Sequence, residues 1–200
     1  MIERRVVKEM ETKKPGSTIG NSRRGQLTAK MARQISPYWE EHGYSVLYDH
    51  DPSSENVGKI VSSFGEQPYA RSTQLSHVDI AIVEKISDRV FALIEIEETT
   101  DKPKTFLGDV FGVLMGDYIS FGKKRPLSVD EHTSLFVFVK SKVSRRERNK
   151  YLLEKVMRIK SSLSTGNSVI GWVDIKPFRD EKGLSVLLPF VLDRALMGEL

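Results

Sequence analysis

Cysteine is absent from this chain of 200 residues. Disulfide bonds and thiolate zinc sites are therefore excluded, and the composition is compatible with a reducing compartment. No apolar run approaches the ~20 residues that a membrane-spanning helix needs, and the charged first segment, MIERRVVKEMETKK, lacks the apolar core of a signal peptide. We expect a cytoplasmic protein with no membrane partner.

Signatures of several enzyme classes are missing as well. The sequence contains no glycine-rich phosphate-binding loop, no nucleophile elbow and no dinucleotide-binding fingerprint, and its four histidines show no metal-ligand spacing. Basic residues barely outnumber acidic ones, 31 against 27, which gives a net charge of +4 and a pI of 9.2. This small excess gives slight support to a polyanionic partner.

Length and composition predict one folded domain with a sizeable core, since 39% of the residues are hydrophobic and 29% are charged. Residues 1–25 mix glycine, serine, proline and basic residues without a hydrophobic period, which is typical of an arm or linker. We therefore assign residues 1–25 to a basic arm or linker and residues 26–200 to a single domain.

Hydrophobic periodicity predicts the elements of that domain. A helix is expected in LTAKMARQISPYWEEHGY, followed by a strand in YSVLYD and by residues 52–76, which show no clear period. The loop KISDR joins two strands, HVDIAIVE and RVFALIEIEE, as a hairpin. A helix in TFLGDVFGVLMGDYISF then precedes the buried strand SLFVFVK, a charged helix over about 144–163, a strand in VIGWVDI and an unassigned end, LSVLLPFVLDRAL. The order of helix, three strands, helix and strand is typical of an α/β domain.

Acidic residues interrupt two of these strands. Glu95 and Glu97 are two residues apart, so they share one face of a strand with their Cα atoms about 6.6 Å apart. The predicted hairpin loop pairs Asp79 with Glu95 and Val83 with Phe91, which places Asp79 on the same face. A register slip of one residue would move Asp79 to the opposite face. Correct parity therefore brings three carboxylates together.

Three carboxylates beside the apolar residues Phe91, Leu93 and Ala81 require a cation, because a buried unpaired charge costs several kcal/mol. Oxygen ligands without a neighbouring His or Cys suit a hard cation, Mg²⁺ or Mn²⁺. Such an ion can polarise a phosphoryl oxygen and lower the pKa of a water, which is the chemistry of phosphodiester hydrolysis. Two other interpretations stay open: the glutamates end a strand that emerges into solvent, or Asp79 accepts hydrogen bonds from a nearby loop.

Asp79 in one strand, followed by Glu95-Ile96-Glu97 at the end of the next, resembles the bipartite motif of the PD-(D/E)XK nuclease superfamily, which includes type II restriction endonucleases and Holliday-junction resolvases. The element order over about 27–140 is similar to the core of that family. The resemblance implies a restriction-endonuclease-like α/β fold, with a central mixed β-sheet flanked by helices in the core order αβββαβ. It also implies that Asp79 and Glu95 bind Mg²⁺, or Mn²⁺, and that both act with Glu97 in catalysis.

The sequence departs from this family at three places. Glu97 stands where the family usually has a lysine, and we assign it as a general base or a further metal ligand. The proline that usually precedes the first acid is replaced by His77 and Val78. The acid often found on the first helix has no obvious match, and Glu41, near the end of that helix, is an accessory candidate.

Other side chains are candidates for supporting roles. Lys102 or Lys104 can supply a relocated cation, and His77 can contact the substrate, although exposed loop lysines and a satisfied strand-end histidine are the ordinary alternatives. Basic residues of the arm and of the charged helix can contact phosphates, although a basic helix face is often only solvated. The candidates for DNA binding are Arg23, Arg24, Lys142, Arg145, Arg146 and Arg148.

The resemblance implies a magnesium-dependent deoxyribonuclease that cuts double-stranded DNA with a metal-activated water, most like a type II restriction enzyme. Cutting both strands requires two sites, so a homodimer is expected. One alternative is a non-catalytic nucleic-acid-binding module of the same fold, which the missing lysine favours. Another is a Holliday-junction resolvase or repair nuclease, which differs in the shape of DNA that it recognises.

Overall fold

The structure is a computed structural model that describes residues 25–49, 58–65, 70–98, 103–122, 125–140 and 170–198, together with the single residues Tyr151, Glu154 and Arg158. The described part is mixed α/β, with three helices and two β-sheets. The helices are α1 (Gln26–Glu41), α2 (Pro103–Leu114) and α3 (Glu181–Leu196). The strands are β1 (Tyr44–Tyr48), β2 (Ile60–Ser63), β3 (Gln74–Val78), β4 (Ile80–Glu84), β5 (Val90–Glu97), β6 (Tyr118–Phe121), β7 (Leu127–Ser128), β8 (Ser134–Lys140) and β9 (Trp172–Phe178).

The larger sheet is mixed and has five strands in the order β1-β4-β5-β8-β9. The first three strands are antiparallel neighbours, whereas β8 runs parallel to β5 and β9 runs parallel to β8. Parallel neighbours need a crossover connection, and α2 lies in the connection between β5 and β8. The apolar run SLFVFVK forms β8, a central strand whose five inner residues are buried, as the sequence predicts.

Each face of this sheet is covered by a separate hydrophobic core. Helices α1 and α3 cover one face, where Trp39 and Leu188 pack with Ile94. Helix α2 and the smaller sheet cover the other, where Val110 packs with Leu93. Side chains alternate along β5, so Ala92, Ile94 and Ile96 face α1, and Leu93 faces α2. The same alternation continues to Glu95 and Glu97, which therefore lie on the α2 face.

The hairpin between β4 and β5 confirms the predicted loop of Lys85 to Arg89 but contains a β-bulge. Ile80 pairs with Ile94, as the predicted register requires, but the predicted pairing of Val83 with Phe91 is wrong because Val83 pairs with Val90. The extra residue turns Phe91 away from the carboxylates and onto the α1 face. There its ring lies 5.2 Å from that of Trp39 and 5.4 Å from that of Tyr44, measured between centroids.

A second sheet, with the strand order β3-β2-β6-β7, was not expected from the sequence. The region without a clear period, residues 52–76, contains β2 and the start of β3. The predicted strand HVDIAIVE is two strands that separate at Asp79: β3 joins the small sheet and β4 joins the large one. The predicted helix over TFLGDVFGVLMGDYISF ends at Leu114, because Tyr118–Phe121 pairs with β2 as strand β6.

The last strand and the last helix differ from what hydrophobic periodicity predicts. The predicted strand in VIGWVDI is shifted to Trp172–Phe178, where it forms an edge of the large sheet. The unassigned end is α3, which Asp180 caps by accepting a hydrogen bond from the backbone N–H of Gly183 at 2.8 Å. Of the predicted charged helix, only Tyr151, Glu154 and Arg158 are described, and they are helical. None of the described helices combines the length and apolarity that crossing a membrane would take.

Helix α2 packs closely against the small sheet because the residues at the contact, Gly112 on the helix and Ser76 on the sheet, are small. A Cβ atom at Gly112 would lie 2.7 Å from the Cβ atom of Ser76, which is closer than two carbon atoms can approach. The hydroxyl group of Ser62 donates a hydrogen bond to the backbone carbonyl of Gly112 at 2.9 Å. Small residues on both sides therefore hold α2 against β2 and β3, and this contact sets the position of the helix beside the end of β5.

Replacing Gly112 by alanine should destabilise the protein by about 1–3 kcal/mol, because the added methyl group overpacks the contact with Ser76. Gly108 is the matched control, since it lies in the same helix and a Cβ atom there meets nothing within 4 Å. Gly108→Ala should be stabilising by up to about 1 kcal/mol through helix propensity. Urea denaturation of both variants checks this prediction, and equal effects would contradict it.

Candidate functional site

Asp79 lies in neither strand, at the point where the chain passes from the small sheet to the large one. The pairing of Ile80 with Ile94 continues by one residue to place Asp79 beside Glu95. Glu97 follows two residues later on the same face. The structure thus brings together the three carboxylates that parity predicts.

The side chain of Asp79 holds this arrangement with a hydrogen bond to β5. Its Oδ2 atom accepts from the backbone N–H of Ile96 at 2.7 Å. Ile96 lies beyond the last residue of β5 that β4 covers, so its N–H group would otherwise lack a strand partner on that edge. The donor of this bond belongs to a strand, so the bond does not test the alternative that Asp79 accepts hydrogen bonds from a nearby loop, which stays a prediction.

A cleft with a volume of about 360 Å³ opens where these elements meet. Strand β3 and the following turn form one wall, the end of β5 forms the floor, and α2 forms the second wall. Four carboxylate side chains face it, and His77 is the only described lining residue that can carry a positive charge. The lining residues are Leu75, Ser76, His77, Asp79, Glu95, Ile96, Glu97, Phe106, Asp109 and Val110.

Glu95 is the most strongly perturbed group in the cleft. Its Oε1 atom is completely buried and has no hydrogen-bond partner among the described residues. Burial raises the pKa of Glu95 well above its ordinary value of 4.5, and the negative charges of Asp79, Asp109 and Glu97 raise it further. Because its Oε1 atom is buried, Glu95 is not fully solvated, whereas the interpretation of a solvated strand end is not tested for Glu97.

Asp109 is absent from the residues predicted for the site. It lies on α2 between Phe106 and Val110, on the helical face that packs against the sheet. Burial raises the pKa of its carboxyl group, and the nearby His77 partly offsets that increase. The signal in the sequence is an acid at helical spacing within an apolar stripe, since Phe106, Asp109 and Val113 are separated by three and four residues.

The other predicted site residues are placed differently. His77 lines the cleft. Glu41 is exposed at the end of α1, just before Tyr44. Tyr44 pairs with Glu84, at the end of β4 that is remote from Asp79. The accessory role predicted for Glu41 is therefore not supported. Lys104 belongs to the first turn of α2, but its side chain is not described. The remaining candidates lie outside the described residues: Arg23, Arg24, Lys102, Lys142, Arg145, Arg146 and Arg148.

The chemistry of the cleft restricts the cation that fits it. Within the described part of the chain, no group of three or more His, Asp or Glu side chains is already arranged to hold a metal ion. Mg²⁺ usually retains several waters and uses one or two carboxylates, and it prefers oxygen ligands. Asp79 and the unpartnered buried oxygen of Glu95 fit that requirement. Transition metals that favour histidine or thiolate ligands fit the lining less well.

The raised pKa of Glu95 predicts how the stability of the metal-free protein depends on pH. Below about pH 4.5 the carboxyl group is protonated in both the folded and the unfolded chain. As the pH rises through the folded-state pKa, Glu95 is already ionised in the unfolded chain but still binds its proton in the folded one. The free energy of unfolding therefore falls over this range. Glu95→Gln, which cannot ionise, should lose less stability over this range.

Thermal unfolding in chelator between pH 4.5 and pH 8 measures this difference, with Glu131→Gln as the control because the Glu131 side chain is 80% exposed. The advantage of Glu95→Gln over the wild type should increase with pH, whereas Glu131→Gln should follow the wild type. Parallel curves for all three proteins would contradict the assignment of a raised pKa to Glu95.

Comparisons with known proteins add no assignment. No protein-family model matches the chain, and searches of curated proteins and of solved structures give no significant match. The features of this chain that bear on its function are therefore the carboxylates of the cleft and the order of the strands that position them.

Proposed function

We propose that this chain is a magnesium-dependent deoxyribonuclease of the PD-(D/E)XK superfamily that hydrolyses phosphodiester bonds in double-stranded DNA, most like a type II restriction endonuclease. The observation that carries the proposal is the cleft in which Asp79, Glu95 and Glu97 converge. The unpartnered, buried oxygen of Glu95 supports a cation as the missing component, because burying an unpaired charge is costly.

The order of the elements gives independent support. Helix α1, strands β1, β4 and β5, helix α2 and strand β8 follow one another in the order αβββαβ that the resemblance implies. Strands β1, β4, β5 and β8 are also neighbours in the sheet, with the last pair parallel. On this interpretation, β2 and β3 form an addition between β1 and β4, and β6 and β7 form an addition between α2 and β8.

Asp79 and Glu95 are the proposed cation ligands. When bound, Mg²⁺ supplies a Lewis acid that stabilises developing negative charge on a phosphoryl group and favours ionisation of water. Asp79 is held in place by the N–H group of Ile96, so its carboxylate is oriented before any substrate arrives. The apolar side chains of Phe106 and Val110 line the same cleft and exclude part of the bulk water.

Glu97 is the proposed general base. One of its carboxylate oxygens would accept the proton of the attacking water while the water oxygen bonds to phosphorus and the bond to the leaving oxygen breaks. This role would explain an acid at the position where the PD-(D/E)XK superfamily usually has a lysine. His77, on the wall formed by β3, is the only described lining residue that can carry a positive charge, so it is the candidate to contact an anionic substrate.

Double-stranded DNA and a second copy of the chain are the proposed partners. Cutting both strands needs two clefts, so the resemblance favours a homodimer. The basic residues predicted to contact phosphates, such as Arg145 and Arg146, remain part of the proposal. A single cleft lined by acids also requires cations to reduce repulsion from the DNA backbone.

Cleavage of plasmid, linear duplex and branched DNA with Mg²⁺ or with chelator tests this function. Asp79→Asn and Glu95→Gln should each lower the cleavage rate roughly a hundredfold or more, because several kcal/mol of transition-state stabilisation is lost. Glu131→Gln, which changes an exposed carboxylate beyond the other end of β8, should retain the wild-type rate.

Each other outcome has a defined meaning. Cleavage in chelator, or undiminished cleavage by both cleft variants, would refute the assignment of Asp79 and Glu95. DNA binding without cleavage of any substrate by the wild type would instead favour a non-catalytic binding module. Preference for branched over linear DNA would favour a junction resolvase with the same metal chemistry.

Replacing Glu97 by glutamine distinguishes a general base from a further metal ligand. Loss of a general base should lower the turnover rate by about 10²–10⁴-fold while the Mn²⁺ affinity, measured by calorimetry, stays within about tenfold of the wild type. A large loss of Mn²⁺ affinity, with activity recovered at high metal concentration, would show instead that Glu97 is a ligand.

A further inference from the structure

Asp109 lines the cleft from the wall formed by α2, whereas Glu95 and Glu97 lie on the floor formed by β5. It lies on α2, and its helical neighbours Phe106 and Val110 line the same cleft. Glu95 belongs to the large sheet, and Asp79 lies in the turn that leads into that sheet. Asp109 is therefore the acid that a separate element, α2, contributes. Its position on α2 is fixed by the tight contact between Gly112 and Ser76.

A second observation indicates that these acids surround a ligand. The Oε1 atom of Glu95 is completely buried, and no described residue donates a hydrogen bond to it. The charge of Asp109 acts on Glu95 together with the charges of Asp79 and Glu97. Repulsion among four acids that share a small cleft is relieved when a cation lies among them.

We propose that Asp109 is a third carboxylate of the cation site and that it contacts the ion through a bound water, so that the ion is held between β5 and α2. The inference rests on the proposed metal site. A water-mediated contact is consistent with the lack of three ready-made direct ligands in the described residues and with the waters that Mg²⁺ retains. It assigns to the second helix the accessory acid that the first helix does not provide.

Titration of the full-length, metal-free protein with Mn²⁺ alone tests the inference. Calorimetry gives the affinity, and the increase in Tm on adding Mn²⁺ gives a second readout, since a ligand of the folded state stabilises it according to its affinity. Asp109→Asn should weaken binding about 10–100-fold, the usual cost of removing a group that supports a metal ligand. Asp109→Glu should recover part of that loss, because it keeps the carboxylate.

The variants separate failure of this inference from failure of the proposed function. Asp79→Asn should abolish binding, and Glu131→Gln should leave it unchanged. If Asp109→Asn binds Mn²⁺ like the wild type while Asp79→Asn does not, the role of Asp109 is refuted and the metal site stands. If the wild type does not bind Mn²⁺, or if Asp79→Asn binds it equally well, the metal site and this inference are both refuted.

Discussion

The hydrogen bond from the Ile96 N–H group to the Asp79 carboxylate joins the end of β5 to the segment that connects the two sheets. At that point the chain leaves the small sheet, enters the large one, and begins to pair with β5 at Ile80. A hydrogen bond to a charged group contributes about 1.5–3 kcal/mol, and here it also satisfies a strand N–H group on the edge of β5 that lies beyond the end of β4. The same bond places an acid beside Glu95, so the junction between the sheets and the proposed site are one feature.

The cleft brings four acids together in a small volume, and His77 is the only described lining residue there that can carry a positive charge. Salt bridges elsewhere, such as that between Lys176 and Asp174, pair opposite charges near the surface, whereas Glu95 meets other acids and apolar walls. Perturbed groups of this kind cluster at functional sites, because a site for a cation must hold its ligands close together before the cation arrives. The packing of α2 on β3 and the hydrogen bond of Asp79 resist the relaxation that would separate them.

Several elements follow from local patterns, and others do not. The run SLFVFVK predicts a central strand because burial on both faces leaves a continuous apolar segment. Strand β2 gives no such signal: Ser62 and Ser63 are buried, yet their composition is typical of a loop. Ser62 lies where α2 approaches closely, and its hydroxyl group donates a hydrogen bond to the backbone carbonyl of Gly112. The bulge likewise has no local signal, and it places the ring of Phe91 against that of Trp39 in a helix distant in sequence.

The amino-acid sequence by itself determined the parity of the acids, because side-chain alternation in a strand is a local property that holds wherever the strand lies. It thereby assigned Glu95 and Glu97 to one face, whereas the place of Asp79 on that face also depends on the register of the hairpin. Only the tertiary structure decided what lies opposite that face. Asp109 joins the site because Gly112 and Ser76 let α2 pack against β3, and a contact between elements far apart in the chain depends on the shapes of both surfaces, which no local period encodes.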